Sequence, residues 1–404
     1  MLTPTEALSV VLAHCQLQPA EKVPLQQAVG RVLARPIRAD RDLPPADRST
    51  MDGYAVRADD LRSVPCELRL VGEVAAGSKA RPRVSRGTCV RILTGANLPP
   101  GADSVVMVEN TAEVSPAVIR FHAPVGRREN VLRRAANAPK RAILLGKGIR
   151  LGPQQIAVCA AVGADPVTVS AQVRVGVLCT GEELVTVSAR AVRHAQRDSN
   201  GPALRAALQA MRLALCKAFG VVKDDPVAMR RKVGAALAAC EVLILVGGVS
   251  VGKYDFVPRV LNDLECREVF HGVAMKPGKP TLFALGPDEQ LVFGLPGNPL
   301  SALTAFHEFV APALKKMSGL AEPPVPKIFA CLTTAVSSER SGRTRFVPSQ
   351  LHFDPEQGIP IVTPVETHGS ADVVAGGRCD GVLVLPETYC AGTSVEFHPW
   401  GSLL

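Results

Sequence analysis

The middle of the chain alternates short apolar runs with amphipathic segments. Four of these runs predict buried strands: 173–179, 219–222, 241–246 and 291–295. Apolar residues at helical spacing predict one face of a helix capped by Asp198 or Ser199: Leu204, Leu208, Met211 and Leu215. Two further helices are predicted, from Asp224-Asp225-Pro226 to about 239 and from Ser301 to Lys316. This alternation predicts a doubly wound α/β domain, in which ligands bind beyond the carboxyl ends of the strands.

The segments on either side of this domain have a different pattern. Short strands and turns between about 44 and 141 predict a small β-rich domain. The first helix, which Thr3, Pro4 and Glu6 are predicted to begin, can pack with the stretch near 151–162 as a connecting unit. After Leu320, three prolines predict a linker, and short strands such as 381–385 predict a C-terminal β-barrel or sandwich.

Composition supports several cores in one chain. A length of 404 residues predicts roughly two to four domains, and 47% hydrophobic residues are enough to fill them. No apolar run approaches the roughly 20 residues that cross a bilayer, and Met1–Cys15 does not resemble a signal peptide. The 11 cysteines are scattered without a CxxC pair, which is typical of reduced thiols. We therefore expect a cytoplasmic protein without a membrane partner.

The net charge of +9 predicts an anionic partner without naming it. The densest basic run, 127–134, has no aromatic residues on which bases could stack, and a solvated loop is the favoured explanation. Nucleic acid is therefore not predicted as a partner. No serine, histidine and aspartate arrangement and no HExxH motif appears, which argues against covalent catalysis and zinc hydrolysis.

The strongest candidate motif runs from Glu241 to Asp255, where a buried strand leads into Gly247-Gly248-Val-Ser250. Glycines without a Cβ let backbone amides approach an anion, and Ser250 adds a hydroxyl. Asp255 could hold a cation or a ligand hydroxyl. The motif matches neither a Walker loop nor a dinucleotide fingerprint, and a tight strand-to-helix turn is the alternative explanation.

Three other loops combine chemistry with a plausible structural role. Thr180-Gly-Glu-Glu183 can be a helix capping box, an anion site or both, and Asp224-Asp225 can cap a helix or contribute to a magnesium site. Met275-Lys-Pro-Gly-Lys-Pro280 presents two lysines on a stiff loop, either as an oxyanion clamp or as a solvated turn.

Polar residues also occur in three turns elsewhere. In Gly294-Leu-Pro-Gly-Asn-Pro299, the prolines fix the loop and Asn298 offers amide groups. Asp52 and Thr94 lie in two turns of the predicted β-rich domain, and each turn taken alone favours a structural role.

Eight motifs occur in one order along nearly the whole chain: MDGYA, ILTGA, TGEEL, DSN, DDP, GGVSVG, KPGKP and GLPGNP. Together they resemble the molybdopterin molybdenumtransferase family, which includes bacterial MoeA and the E domain of gephyrin. The resemblance implies a multidomain α/β plus β fold with four parts: a connecting domain of 1–43 and 144–170, a β-rich insertion domain of 44–143, an α/β molybdopterin-binding domain of 171–320 and a C-terminal β-barrel domain of 321–404. It also implies a homodimer in which Asp52 and Thr94 complete the partner's site.

The resemblance implies insertion of molybdate into adenylylated molybdopterin with release of AMP, in molybdenum cofactor biosynthesis, with Mg²⁺ as cofactor. Handover to partner proteins of cofactor synthesis is a further implication. The implied catalytic residues are Asp52, Thr94, Glu183, Asp224 and Asp255, of which Glu183, Asp224 and Asp255 are the metal ligands. The implied substrate and anion contacts are Thr180, Gly181, Asp198, Asn200, Gly247, Gly248, Ser250, Lys276, Lys279, Pro296, Gly297, Asn298 and Pro299.

Three positions depart from the family pattern. Ala135-Ala-Asn137 replaces a Gly-Glu-Asp sequence after the arginine pair, Lys253 stands where an acid commonly follows GGVSVG, and Gly201 replaces an arginine after DSN. The first two departures remove negative charge near the implied cation. An alternative of another class therefore stays open, namely a non-catalytic homologue that binds the cofactor or acts as a scaffold.

Overall fold

The structure is a computed structural model that describes residues 1–190, 192–250, 256–322, 325–336, 342–385 and 389–401. Contacts divide the chain into two compact units. The first unit contains Met1–Arg35, Lys147–Pro153 and Pro166–Leu404, and the second contains Pro36–Gly146 and Gln154–Asp165. No helix in the described ranges has the length and apolarity needed to span a bilayer. The four-domain boundaries given by the resemblance stay a prediction.

The first unit begins with helix α1 (Pro4–Ala13) and strand β1 (Ala20–Val23). The predicted capping box is present: the Thr3 hydroxyl accepts from the Glu6 backbone N–H at 3.2 Å, and the Glu6 carboxylate accepts from the Thr3 backbone N–H at 2.8 Å. This reciprocal pair satisfies two helix-end donors and fixes where α1 begins.

The second unit contains ten strands: β2 (Ile37–Arg38), β3 (Arg48–Ser49), β4 (Gly53–Val56), β5 (Cys66–Val74), β6 (Thr88–Ile92), β7 (Ser104–Met107), β8 (Thr111–Ser115), β9 (Val118–Phe121), β10 (Val131–Leu132) and β11 (Ile143–Leu145). Six of them form one sheet in the order β7-β4-β6-β5-β9-β8. Successive side chains of a strand point to opposite faces. Cys89 of β6 accordingly packs in one apolar cluster with Phe121, and Val90 packs in another with Val105. The predicted β-rich domain is confirmed.

Helix α2 (Pro153–Ala161) follows, and strand β12 (Val167–Ser170) pairs with β1. The α/β part then contains β13 (Val173–Thr180), β14 (Leu184–Val185), β15 (Gln196–Arg197), α3 (Asn200–Met211), β16 (Ala214–Val222), α4 (Pro226–Leu237), β17 (Val242–Val246), α5 (Val257–Asp263), β18 (Arg267–His271), β19 (Met275–Lys276), β20 (Leu282–Leu285), β21 (Leu291–Leu295), α6 (Pro299–Ala305) and α7 (Ala311–Met317). A π-helical turn at Phe306–Val310 joins the last two helices.

The central sheet has the order β16-β13-β17-β21-β20-β18. Its first four strands are parallel, and β20 runs antiparallel to both of its neighbours, β21 and β18. Apolar clusters cover both faces of the sheet. The doubly wound α/β fold is therefore confirmed, with an antiparallel edge that the sequence pattern did not predict.

One predicted helix face extends too far. Leu204 and Leu208 are buried on α3, but Leu215 lies on β16 and is 57% exposed. The helix ends at Met211 because Arg212 adopts a left-handed conformation with φ of 58°. The strand predicted at 219–222 therefore begins at Ala214.

The C-terminal part contains β22 (Ile328–Leu332), β23 (Thr344–Phe353), β24 (Pro360–Pro364), α8 (Val373–Gly376), β25 (Gly381–Leu385) and β26 (Ser394–Pro399). These strands pair in the order β23-β24-β22-β26-β25, and β25 pairs back with β23. The sheet therefore closes on itself, which confirms a barrel rather than a sandwich. Strand β19 pairs with β23, so that Met275 lies opposite Thr344 and Lys276 opposite Arg345.

Candidate functional site

The carboxyl ends of three parallel strands meet at one edge of the central sheet. Cys179 of β13 lies opposite Val246 of β17, which lies opposite Leu295 of β21. The loops that follow these strands carry the motifs TGEEL, GGVSVG and GLPGNP. The structure therefore brings three of the predicted loops together where ligands bind in such sheets.

Gly247 is required at the centre of this edge. It has φ of 88°, and a Cβ at this position would lie 2.4 Å from the carbonyl oxygen of Thr180. Its backbone N–H donates to the carbonyl of Leu295 at 3.0 Å. Gly248 has φ of 62° and leads to the exposed Ser250. Lys253 and Asp255 lie outside the described residues, so their predicted roles stay predictions.

The interpretation of Thr180-Gly181-Glu182-Glu183 as a helix capping box is wrong. No helix follows, because Thr180 ends β13 and the chain continues into the short strand β14. The Thr180 hydroxyl is buried without a hydrogen-bond partner in the described part of the chain. The Glu183 carboxylate folds back over Gly181, so that a Cβ there would lie 2.9 Å from it. The loop therefore presents polar groups at the sheet edge rather than starting a helix.

The two adjacent aspartates have different roles in the structure. Asp225 caps α4, accepting from the Val227 backbone N–H at 3.0 Å. Asp224 instead accepts from the Glu182 backbone N–H at 3.3 Å, which joins the DDP and TGEEL loops. The structural interpretation thus applies to Asp225, and Asp224 faces the loop of the candidate site.

The DSN motif connects to the GLPGNP loop. Asp198 accepts from the Gly201 backbone N–H at 2.9 Å, which makes it a cap for α3, whereas Ser199 makes no cap hydrogen bond. The Asn200 amide donates to the carbonyl of Gly297 at 2.7 Å. Burial, with a smaller contribution from the Asp198 charge, raises the pKa of the Cys179 thiol. This thiol is therefore a neutral packing group next to the site.

The GLPGNP loop leads into α6 and contacts the C-terminal part of the chain. Asn298 precedes Pro299, the first residue of α6, and its side-chain amide donates to the Ser370 hydroxyl at 2.9 Å. The Leu300 backbone N–H donates to the carbonyl of Ser370 at 3.1 Å. Ser370 is thus fixed beside the loop by two hydrogen bonds.

A cavity of about 450 Å³ lies between the KPGKP loop, the GLPGNP loop and the barrel. Four cationic side chains line it: Lys276, Lys279, Arg343 and Arg345. Its described lining contains no aspartate or glutamate, and its polar neutral groups include Asn298, Ser301 and Ser370. Such a lining favours an anion, because four cationic side chains converge on one cavity.

Sequence reasoning found both lysines of this cavity and missed both arginines. Arg343 directly precedes β23 and Arg345 is its second residue, both far along the chain from KPGKP. Their position follows from the pairing of β19 with β23, a register that no local motif specifies. Only the Arg-Thr-Arg spacing, which is typical of one face of an extended segment, could have indicated them.

Asp52 and Thr94 contact each other in the second unit. The Thr94 backbone N–H donates to the Asp52 carboxylate at 2.6 Å and the Thr94 hydroxyl donates to it at 2.8 Å. These two bonds, the backbone one first, lower the pKa of Asp52. Asp52 is exposed, so this ionised pair lies at the surface of the unit.

Comparison with known proteins identifies the family. Residues 2–163 match the model of the MoeA N-terminal region (domain I and II), and residues 176–316 match that of a probable molybdopterin binding domain. A molybdopterin molybdenumtransferase from Staphylococcus aureus strain Mu50 is 31% identical over 385 residues, covering 94% of this chain and 90% of the relative. The chain belongs to the molybdopterin molybdenumtransferase family.

Other molybdopterin molybdenumtransferase relatives and solved structures agree. One from a Nostoc strain is 38% identical over 311 residues, covering 76% of this chain and 71% of the relative. The crystal structure of a molybdopterin biosynthesis MoeA protein from Pyrococcus horikoshii has a TM-score of 0.83, 30% identity and 100% coverage of both chains. The predicted family and enzyme class are therefore confirmed, with a role in molybdenum cofactor biosynthesis.

The structure describes two of the three predicted metal ligands of this molybdenumtransferase. Within the described ranges, no group of three or more histidine, cysteine, aspartate or glutamate side chains is arranged to hold a metal ion. Of the predicted ligands, Glu183 and Asp224 lie on the two loops joined through Glu182, and Asp255 is outside the described residues. Carboxylate oxygens are the donors that a hard cation such as Mg²⁺ prefers, so the donor chemistry of this pair fits that ion.

Proposed function

We propose that this enzyme inserts molybdate into adenylylated molybdopterin and releases AMP. The observation that supports this most strongly is the cavity lined by Lys276, Lys279, Arg343 and Arg345 without a carboxylate in its described lining. Molybdate is a tetrahedral dianion, and a cluster of fixed cations favours it over neutral solutes.

The carboxyl edge of the sheet is the proposed site for the pterin nucleotide. Gly247 and Gly248 carry no Cβ that would stand between the backbone and a ligand, and the exposed Ser250 adds a hydroxyl donor for phosphate. Asn298, which contacts Ser370 at the cavity, lies between the two regions. The bound nucleotide and the oxyanion are thus held beside each other, and such positioning contributes to the rate by lowering the entropy lost on reaction.

In the proposed reaction, water cleaves the phosphoanhydride bond and AMP leaves, while the pterin keeps its phosphate. The two dithiolene thiols bind molybdenum and release two protons, with which one oxo group of molybdate leaves as water. Glu183 and Asp224, with Asp255, would hold Mg²⁺, which neutralises charge on the phosphates when bound. The lysines and arginines of the cavity keep molybdate oriented toward the sulfurs. Preorganised charge, rather than a covalent enzyme intermediate, is the contribution we assign to the chain.

Asp52 and Thr94 complete this proposal as residues supplied by a second subunit of a homodimer. Both residues are exposed on the β-rich unit, as residues that reach a partner subunit must be. The lowered pKa of Asp52 keeps its carboxylate ionised. We further propose that the enzyme works in the cytoplasm without nucleic acid and hands its product to partner proteins of cofactor synthesis.

The test is AMP release from adenylylated molybdopterin with molybdate, comparing wild type with Lys279→Ala. Removing one charged contact is expected to raise the molybdate concentration for half-maximal rate about 10-fold. The effect is expected to shrink with added salt, because exposed charges are screened. Lys316→Ala, an exposed lysine on α7, is the matched control and should behave as wild type. AMP release at background in the wild type, with the nucleotide still bound, would instead support the non-catalytic homologue.

A further inference from the structure

A second cavity, of about 410 Å³, lies in the first unit and shares no lining residue with the KPGKP cavity. Its walls are formed by Arg150, the end of α3, the helical segment from α6 to α7, and Trp400 after β26. The molybdenum chemistry proposed above uses none of these residues. The cavity is therefore a separate feature of the same unit.

Two unpaired donors line this cavity. The described residues contain four buried side-chain nitrogen or oxygen atoms without a hydrogen-bond partner, and two of them are Arg150 Nε and Trp400 Nε1. Buried donors are almost always paired in folded proteins, because an unpaired donor has lost its water without gaining an acceptor. Two such donors at one cavity indicate that the cavity is built for an acceptor.

The charges around the cavity favour a negative acceptor. Lys315 is half-buried, and burial lowers its pKa; Glu322 opposes this shift, and the nearby Arg150 lowers the pKa by a smaller amount. Glu308 is occupied by the His398 ring, whose Nδ1 is 2.9 Å from the carboxylate. Glu322 is thus the one remaining carboxylate in the described lining to oppose two cations that repel each other.

The indole donor is held in place by stacking. His307 lies parallel to Trp400, with ring centroids 5.2 Å apart and 6° between the planes. Burial, and then Lys315, lower the pKa of His307 to about 3, so this ring is neutral and does not compete for an anion. The Arg150 guanidinium is anchored through Nη1, which donates to the carbonyl of Met211 at 3.3 Å. Two of the three donor groups are therefore preorganised.

We propose that this cavity binds a tetrahedral oxyanion, namely phosphate or the phosphate group of a small metabolite, through Arg150, Lys315 and Trp400. The guanidinium supplies a planar fork for phosphate oxygens, and the ammonium supplies a point charge. The indole N–H supplies a neutral donor. A bound oxyanion would accept hydrogen bonds from Arg150 Nε and Trp400 Nε1. Its negative charge would also reduce the repulsion between Arg150 and Lys315.

Trp400 is the only tryptophan of the chain, so tryptophan fluorescence reports this cavity alone. The full-length protein is titrated with inorganic phosphate at constant ionic strength, with chloride as the reference salt. A saturable change is expected, and Lys315→Gln should raise the apparent Kd at least about 10-fold. Lys316→Gln, the exposed neighbour on the same helix, is the matched control and should bind as wild type.

Two further variants distinguish this cavity from the proposed molybdate cavity and test the role of the indole N–H. Lys279→Ala should leave the fluorescence response unchanged, which separates this cavity from the proposed molybdate cavity. Trp400→Phe retains an aromatic ring against His307 but lacks the N–H, and it should reduce the rise in Tm that phosphate produces. A parallel titration with glycerol phosphate identifies the source, since tighter binding of the ester indicates a metabolite. No saturable response in the wild type, or equal Kd values for Lys315→Gln and Lys316→Gln, would overturn the proposal.

Discussion

At the scale of single residues, the exposed pair Asp52 and Thr94 provides a direct test of how local hydrogen bonds set charge. Thr94→Val removes the hydroxyl donor and keeps the backbone N–H, so the pKa of Asp52 should rise from its wild-type value. Carbon-detected NMR across a pH series measures this change. Thr111→Val, which removes a hydroxyl that donates to Val108 in the same unit, should leave the pKa of Asp52 unchanged.

An unchanged pKa of Asp52 in Thr94→Val would mean that the backbone N–H alone keeps this carboxylate ionised. If it does rise, molybdenumtransferase activity of the variant should fall most at the acid end of the pH range. The ionised Asp52 carboxylate contributes stability above its unfolded pKa. As the pH falls, the variant should lose this contribution at a higher pH than the wild type does.

At the same scale, the candidate site shows which residues a sequence can indicate. Gly247, Asn200 and Asn298 stand in motifs whose geometry is local, and the structure places them in neighbouring loops. Arg343 and Arg345 reach their cavity only through strand pairing with Met275–Lys276, which depends on the whole fold. Local chemistry was therefore predictable and long-range register was not.

At the scale of elements, the turn after β17 is expected to tolerate substitution less well than the glycine turn inside β16. Gly220 has φ of 74° and open space within 4 Å of where a Cβ would lie, whereas Gly247 combines φ of 88° with a backbone oxygen 2.4 Å from that position. Gly220→Ala should cost about 1 kcal/mol from backbone strain, and Gly247→Ala about 3 kcal/mol because a clash is added. Urea unfolding of both variants measures the difference, and equal midpoints would contradict it.

A second prediction at this scale concerns the contact of β26 with the π-helical turn. His398 lies between Glu308, at 2.9 Å, and Glu396, at 2.7 Å. Burial alone would lower the pKa of His398, but hydrogen bonds and charges from Glu308 and then Glu396 outweigh it, so the pKa is raised. The stabilisation is therefore fully present below the unfolded pKa of about 6.5 and lost as pH rises through the folded value.

His398→Gln should accordingly lower Tm by about 5 °C at pH 6, because it leaves buried Glu308 without its cation. The difference from wild type should shrink as the pH rises through the folded pKa of His398, where the wild-type ring loses its charge. His352→Gln, at an exposed position on β23, is the control. A constant difference across this pH range would show that His398 acts through packing rather than charge.

Element boundaries were predictable where apolar runs are continuous. The strands Leu291–Leu295 and Gly381–Leu385 were predicted to the residue, because both are buried and bounded by turn residues. Strand β16 was predicted too short, because it lies at the edge of the sheet and exposes residues such as Leu215. Its alternating pattern then resembled a continuation of the helix face on α3.

At the scale of the whole molecule, the proposed homodimer predicts complementation between two impaired variants, assayed at a molybdate concentration well below the half-maximal value of Lys279→Ala. Mixing Asp52→Asn with Lys279→Ala subunits should give heterodimers with one intact site, and about one quarter of wild-type activity after subunit exchange. Mixing Lys276→Ala with Lys279→Ala damages both sites of every dimer and should give no recovery. AMP release measures activity, and sedimentation velocity should show a dimer. A fully active monomer, or equal results for the two mixtures, would contradict the shared site.

The pairing of β19 with β23 has a consequence for shortened forms of this chain. Met275–Lys276 is covered by a barrel strand that begins at Thr344, so a fragment that stops at Ser318 leaves those backbone groups bare. An uncovered strand edge recruits strands from other molecules. Such a fragment should self-associate through Met275–Lys276, which also line the proposed molybdate cavity. Proteolytic loss of the barrel would therefore cause the remaining fragment to aggregate. It would also remove Arg343 and Arg345 from the cavity.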